Sequence, residues 1–257
     1  MIKILLVLIL TIAQVGAVPP TALPLMNLFN PKQLGSTSLL AWYRADSIGG
    51  SDGDAIGSWS DSSGNSRTMT QGTADKKPTY KVNIINSRPV ARFDGGDTLT
   101  TGTQFIPADH KMTFFFVAMQ TSVADHTVIS NTNSGLGQLL RFRNNGGTQQ
   151  VRWLAGNVLY DVNTGVGANT FGYYTALVDC STIVTGTVNW RINGTSIGTS
   201  GSLTPIGTPD GNVYIGSNLD LGSYLTGDIA EILIYDGLMT AVNYKQVEAY
   251  LKFKYAL

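Results

Sequence analysis

LLRFRNNGGTQQVRWLAGNVLYDV, residues 139–162, is the stretch that decides the fold. Residues 139–143 and 149–154 alternate apolar with polar side chains, the period of a strand with one face buried. Asn145-Gly146-Gly147 stands between them, and such a run supplies the positive φ angles that a tight hairpin needs. Residues 158–162 read as a third strand.

The same rhythm extends in both directions. Residues 39–44, 90–93, 112–120, 127–130, 173–179, 187–192, 213–216 and 228–235 are short runs rich in β-branched and aromatic side chains, parted by Gly, Asn and Asp. Asn193-Gly194 ahead of residues 195–198 is a second hairpin signal. Regular short strands with turns between them imply an all-β chain: a two-sheet antiparallel β-sandwich, or jelly roll. No repeat with the period of a propeller or solenoid is visible. One helix closes the chain. Thr240 can cap it, and Tyr244, Val247, Leu251 and the aliphatic stem of Lys254 recur at three- and four-residue spacing, a stripe suited to docking on the sandwich.

Composition limits the function. Of 257 residues 43% are hydrophobic and 13% charged, and the formal net charge is zero. A core is assured, and a general nucleic-acid binder is excluded because phosphate recognition needs a basic excess. Cys180 is the only cysteine; within an alternating apolar run it reads as a small buried residue. Residues 1–18 have the form of a secretory leader: Lys3, an apolar stretch, then Val15-Gly16-Ala17. Residues 19–37 carry Pro19, Pro20, Pro24 and Pro31 and read as a linker or extended arm, a candidate contact for self-association or particle assembly. The sandwich is expected over 38–257, with no membrane span, outside the cell or on a virion surface.

Three blocks carry a resemblance. They are LLAWYRADSIGGSDGDAIGSWSDSSGNSRTMTQ (39–71), KPTYKVNIINSRPVARFDGGDTL (77–99) and GDIAEILIYDGLMTAVNYKQVEAYLKFKYAL (227–257). Together they resemble the concanavalin A-like lectin/glucanase superfamily, in its laminin-G-like form. The resemblance implies a two-sheet jelly roll with its terminal strands close together. It leaves function open among sugar binders, adhesion modules, particle components and enzymes.

Glucanases of this fold carry closely spaced Glu and Asp residues on one strand. Here the only two Glu, Glu231 and Glu248, are far apart in sequence. Glu231 is expected on the face opposite Ala230, Ile232 and Ile234, paired to Arg44 or Arg92. Asp125, His126 and Ser130 contain the residue types of a hydrolase triad without a nucleophile-elbow motif. The expectation is therefore that the chain is not an enzyme. Relatives of this type often hold calcium at a loop rim, which makes Asp46/Asp52/Asp54, Asp94/Asp97 and Asn131/Asn133 candidates, with Asp94 and Asp97 foremost. Turn formation explains the same residues without a metal.

For a sugar, the useful groups are an aromatic face and planar polar side chains. Trp153 and Tyr160 lie on consecutive strands. Arg141, Arg143 and Arg152 alternate with Leu140, Phe142, Val151 and Trp153, so the three Arg share one sheet face. That face reads either as a basic patch for an acidic glycan or protein partner, or as a solvated surface that discourages edge pairing. Trp42, Trp59 and Trp190 are expected in the core. The expected function is a glycan-binding or adhesion module, with a viral decoration or fibre protein and a polysaccharide-cleaving enzyme as alternatives.

Overall fold

A computed structural model describes residues 29–34, 37–107, 111–131, 138–155, 158–179, 186–199, 211–218 and 223–257, with backbone only at 138–139, 154–155 and 158–160. The leader-like residues 1–18, the first part of the arm, His110, Asn133 and Cys180 lie outside the described residues.

The expected all-β sandwich is present. In the first sheet the spatial order is β14 (Thr195–Thr199), β13 (Thr187–Ile192), β12 (Gly172–Asp179), β7 (Lys111–Gln120), β16 (Thr226–Asp236), β5 (Arg88–Asp94) and β4 (Thr79–Ile85), and β1 (Leu39–Arg44) also pairs with β16. The second runs β11 (Val158–Asn163), β10 (Thr148–Ala155), β9 (Gln138–Asn145), β8 (His126–Ser130), β15 (Tyr214–Ile215), β6 (Leu99–Thr100), β3 (Met69–Thr70) and β2 (Ser58–Trp59). Every strand pairing is antiparallel. The β9–β10 turn puts Gly146 and Gly147 at φ 58 and 86, and the β13–β14 turn puts Asn193 and Gly194 at φ 49 and 80. Two successive positive φ angles match the right-handed strand twist, which is why these dipeptides close hairpins.

Two apolar layers follow from the strand period. Between the sheets lie Trp59, Met69, Phe93, Phe114, Phe116, Phe142, Trp153, Tyr174, Trp190, Ile232 and Ile234. On the outer side of the first sheet, Trp42, Val90, Phe115, Val117, Leu233 and Tyr235 pack with Val247, Leu251 and Tyr255 of helix α1 (Ala241–Tyr255). This explains why β7 reads KMTFFFVAMQ with almost no alternation: both of its faces are covered. Thr240 caps α1 by accepting from Asn243 N–H.

The arm ends on the domain itself. Phe29 packs against Tyr250 with ring centroids 5.6 Å apart, Leu34 is buried, and Tyr235 Oη donates to Pro31 O at 3.1 Å. The edge strand β1 is closed by side chains rather than by another strand. Asp61 accepts from Trp42 N–H and Arg67 N–H, while Asn65 Nδ2 and Arg67 Nη1 donate to carbonyls of Leu39 and Leu40. Groups that would otherwise template a foreign strand are thereby satisfied.

A bulge in β16 between Ile229 and Glu231 corrects the expected face of Ala230. Ala230 joins the outer layer with Leu233, while Ile232 and Ile234 face the other sheet. Glu231 is fully buried beneath α1, and its partner is neither Arg44 nor Arg92. It accepts from Lys254 Nζ at 2.8 Å, Tyr255 Oη at 2.7 Å, Tyr250 Oη at 2.9 Å and Trp42 Nε1. Arg92 instead grips Asp228 with two hydrogen bonds, and Arg44 reaches Ser62 and Asp46.

Candidate functional site

The three Arg do share a face, the outer face of the second sheet. The ladders make two rows of it. Thr127, Arg141, Arg152 and Asp161 are successive cross-strand partners on β8, β9, β10 and β11, and Arg143, Gln150 and Asn163 form the adjacent row. Partners directly opposite in a ladder project on the same side, so seven polar side chains gather on four strands.

Asp161 organises them. Arg152 donates Nε and Nη2 to its two carboxylate oxygens at 2.5 and 2.7 Å, and Arg143 Nη1 adds a third bond at 2.6 Å. Burial alone would raise the Asp161 carboxyl, but the bonds and charge of Arg152 and Arg143 outweigh it and hold the group below the usual carboxylate range. Gln150 Nε2 donates to Asn163 Oδ1 at 2.9 Å. Arg141 has a weaker partner, Asp125, at 3.3 Å from its Nη2. Burial, and then the neighbouring Arg152 charge, push the Arg141 guanidinium below its usual range.

Burial deepens from the edge of this face to its middle. Side-chain exposure falls from 40% at Asp125 and 31% at Arg143, through 19% at Asp161, to 10% at Arg141 and 5% at Arg152. Asp125 and Arg143 form a rim, and Arg141, Arg152 and Thr127 a floor. Sequence reasoning found the three Arg and missed Thr127, Gln150, Asp161 and Asn163, which only the strand register brings to them.

The aromatic half of the expected site is elsewhere. Trp153 is 1% exposed and packs against Phe114 at 5.4 Å between the sheets, so it offers no stacking face to solvent. Tyr160 pairs with Trp153 across β10 and β11, and its side chain lies outside the described residues.

The carboxylates named as calcium candidates are engaged by groups of the protein itself. Asp97 is buried and accepts from Asp94 N–H at 2.9 Å, while Asp94 accepts from Gly96 N–H at 2.9 Å. Burial pushes the Asp97 carboxyl up to about 6, an environment that disfavours its anion. Calcium takes six to eight oxygens, and no group of three or more His, Cys, Asp or Glu that could hold a metal occurs among the described residues. Asp46 meets Lys254 and Arg88, Asp52 meets Lys81 and Val82 N–H, and Asp54 accepts from Ser51 N–H. Turns and ion pairs account for these carboxylates.

The triad residues do not converge either. His126 contacts Ser122 Oγ and the backbone at Tyr224 and Thr226, Ser130 donates to Ser217 O, and Asp125 accepts from Asn144 N–H. The two Glu are both committed to holding α1. Glu248 is gripped by Arg191 at 2.7 Å and accepts from Thr175 Oγ1 at 3.0 Å.

No family model matches the chain, and no curated protein matches it. Solved structures do. A GH54 α-L-arabinofuranosidase soaked with a cyclic sulfate inhibitor is 12% identical with a TM-score of 0.63, over 86% of this chain and 64% of that one. The chain thus spans less than two thirds of that enzyme's length. Domain 4 of AbnA, a GH43 extracellular arabinanase from Geobacillus stearothermophilus in complex with arabinotriose, is 16% identical with a TM-score of 0.59, over 83% and 98% of the two chains. The botulinum neurotoxin type G receptor binding domain is 15% identical with a TM-score of 0.56, over 83% and 51%. Identities this low establish a lectin-like β-sandwich fold. They also overturn the expectation that the chain is not an enzyme. That expectation rested on a missing glucanase-type pair, and the arabinofuranosidases share this fold. Among the described residues, no helix is long and apolar enough to cross a membrane.

Proposed function

We propose that this chain is a glycan-binding, laminin-G-like module that works outside the cell and takes its saccharide in the recess of the second sheet. The observation that carries the reading is the double row of Arg, Gln, Asn and Asp side chains on β9, β10 and β11. Planar polar groups held rigid by one another are suited to sugar hydroxyls, which need paired donors and acceptors at fixed positions. The arabinotriose complex of one neighbouring fold and the leader-like residues 1–18 support the same reading. Residues 19–28 would then join the sandwich to its surroundings, a second copy or a particle included.

The test is titration calorimetry against ligands chosen from a glycan array, with Arg143→Ala and Asn163→Ala. Both lie on the recess, and each is expected to weaken binding by about tenfold. Binding that neither substitution alters would refute the site.

A second reading, polysaccharide cleavage, is favoured by one feature: Asp161 is held ionised on the recess wall. An ionised carboxylate on a sugar face is the form a glycosidase nucleophile or stabiliser takes. Reducing-sugar release from arabinan that vanishes in Asp161→Asn would support it, and no release would leave binding alone.

A further inference from the structure

The inference rests on that reading and names the class of saccharide. Three guanidinium groups share the recess with two carboxylates. Asp161 is fully used, taking both bonds of Arg152 and one of Arg143. Arg141 is left with Asp125 alone, at 3.3 Å and from the most exposed carboxylate of the group. Two hydrogen-bonding atoms on the floor are also unused. Arg141 Nε and Thr127 Oγ1 are both buried and have no partner among the described residues. Thr127 and Arg141 are direct partners across β8 and β9, so the N–H and the hydroxyl lie side by side on one face.

A buried guanidinium is tolerated when anionic oxygens take its protons, and a buried donor left without an acceptor is costly. The floor therefore combines a net positive charge, three Arg against two Asp, with an unpartnered N–H and hydroxyl. Around it stand the amides of Gln150 and Asn163, which suit ring hydroxyls rather than charge. We propose that the recess binds an acidic saccharide, with a sugar carboxylate seated on Arg141 and Thr127 and the ring hydroxyls meeting Gln150, Asn163 and the rim. A carboxylate matches the planar fork of arginine, so it completes Arg141 in the way that Asp161 completes Arg152.

The experiment compares three probes on the full chain by calorimetry: trigalacturonate with free carboxylates, its methyl ester, and neutral arabinotriose. Trigalacturonate is expected to bind at least about tenfold more tightly than the ester. Arg141→Gln is expected to remove that preference, and Thr127→Val, close to isosteric and certain to keep the strand, to reduce it. Thermal melting of each variant confirms that it is folded. Equal binding of acid and ester overturns the acidic class while leaving a glycan site intact. Binding of no saccharide overturns both readings. An acid preference that survives in both variants places the carboxylate elsewhere and also overturns the proposal. Inorganic sulfate is the control for the source of the anion. If it binds with the same Arg141 dependence and displaces trigalacturonate with an affinity equal to that of trigalacturonate itself, the recess is a simple anion site and the saccharide is refuted.

Discussion

Lys254→Met should destabilise this domain by about 3 kcal/mol, because it strips the one cation from a fully buried carboxylate. Glu231 is 0% exposed and its oxygens are held by Lys254, Tyr250, Tyr255 and Trp42. Removing one partner of a buried pair costs about 3–5 kcal/mol, since the charge left behind cannot reach water. Three neutral donors remain on Glu231, which puts the expectation at the low end of that range. Lys254 also meets Asp46 at 3.0 Å. Asp46 keeps Arg88 and Arg44 and is a quarter exposed, so its share is about 1 kcal/mol or less. For a domain of this size, about 3 kcal/mol corresponds to roughly 6–12 °C in melting temperature. The assay is urea unfolding of wild type, Lys254→Met, Glu231→Gln and the double variant. Once the carboxylate is an amide, loss of the ammonium leaves no orphan charge, so the double variant should be more stable than Lys254→Met. A loss under about 1 kcal/mol in Lys254→Met, or strict additivity in the cycle, would show that Glu231 is neutral or solvated and refute the buried pair.

Three further outcomes are expected. Asp97 titrates near 6 when folded, against 3.8 when unfolded, so the native state binds the extra proton and stability falls as pH rises from about 4 to 6. The full shift would correspond to ~3 kcal/mol, and screening by solvent at the exposed Asp94 side reduces it to about 1 kcal/mol. Asp97→Asn should therefore gain about that much on wild type at neutral pH and nothing near pH 4, read from urea midpoints; an equal difference at both pH values would refute it. Asp61→Ala removes the acceptor of Trp42, Ser63 and Arg67 N–H groups, and should cost about 2 kcal/mol and raise light scattering as the β1 edge opens. Gly216→Ala adds a methyl that overlaps the ring of Phe93 at a residue with φ 85, so soluble yield and melting temperature should drop by an amount equivalent to about 3 kcal/mol or more.

The parts of the fold legible in the sequence are those where one strand carries enough residues to show its period. β9, β10, β12 and β13 are visible in this way, and β7 is visible for the opposite reason, as both of its faces are covered. The two-residue ladders β2, β3 and β6 are too short for any period to register. β4 does alternate Thr79, Lys81 and Asn83 with Tyr80, Val82 and Ile84, a period the reading above passed over, and it is cut short by an irregularity between Lys81 and Ile85 where Asn83 takes φ 56. The bulge at Ala230 inserts a residue that alternation cannot see. Lys254 shows the limit of helical periodicity: its stem was assigned to the apolar stripe, yet its ammonium lies inside, on a carboxylate that belongs to another element.

The recess and the layer under α1 share an ingredient, charge placed on a sheet face, and differ in its balance. Under α1, Glu231 meets Lys254 and Glu248 meets Arg191, so each carboxylate has its cation and the helix is held by satisfied pairs. On the second sheet, three Arg meet two Asp, and the pairing needs register as well as period: Asp161 is opposite Arg152 only because the β9–β10 and β10–β11 ladders are in phase. That is why the Arg face could be read from the sequence and its neutralising Asp could not. It also changes what the scarcity of Glu means. Both Glu are structural, tied beneath a helix on the far side of the sandwich, so their separation carries no information about catalysis. Asp161 of the recess is the carboxylate that the cleavage reading proposed above would use. There, Asp161 on β11 is held ionised by two Arg, and two strands away on β9 Arg141 keeps only its long contact to Asp125, an arrangement that the anion of a ligand would complete.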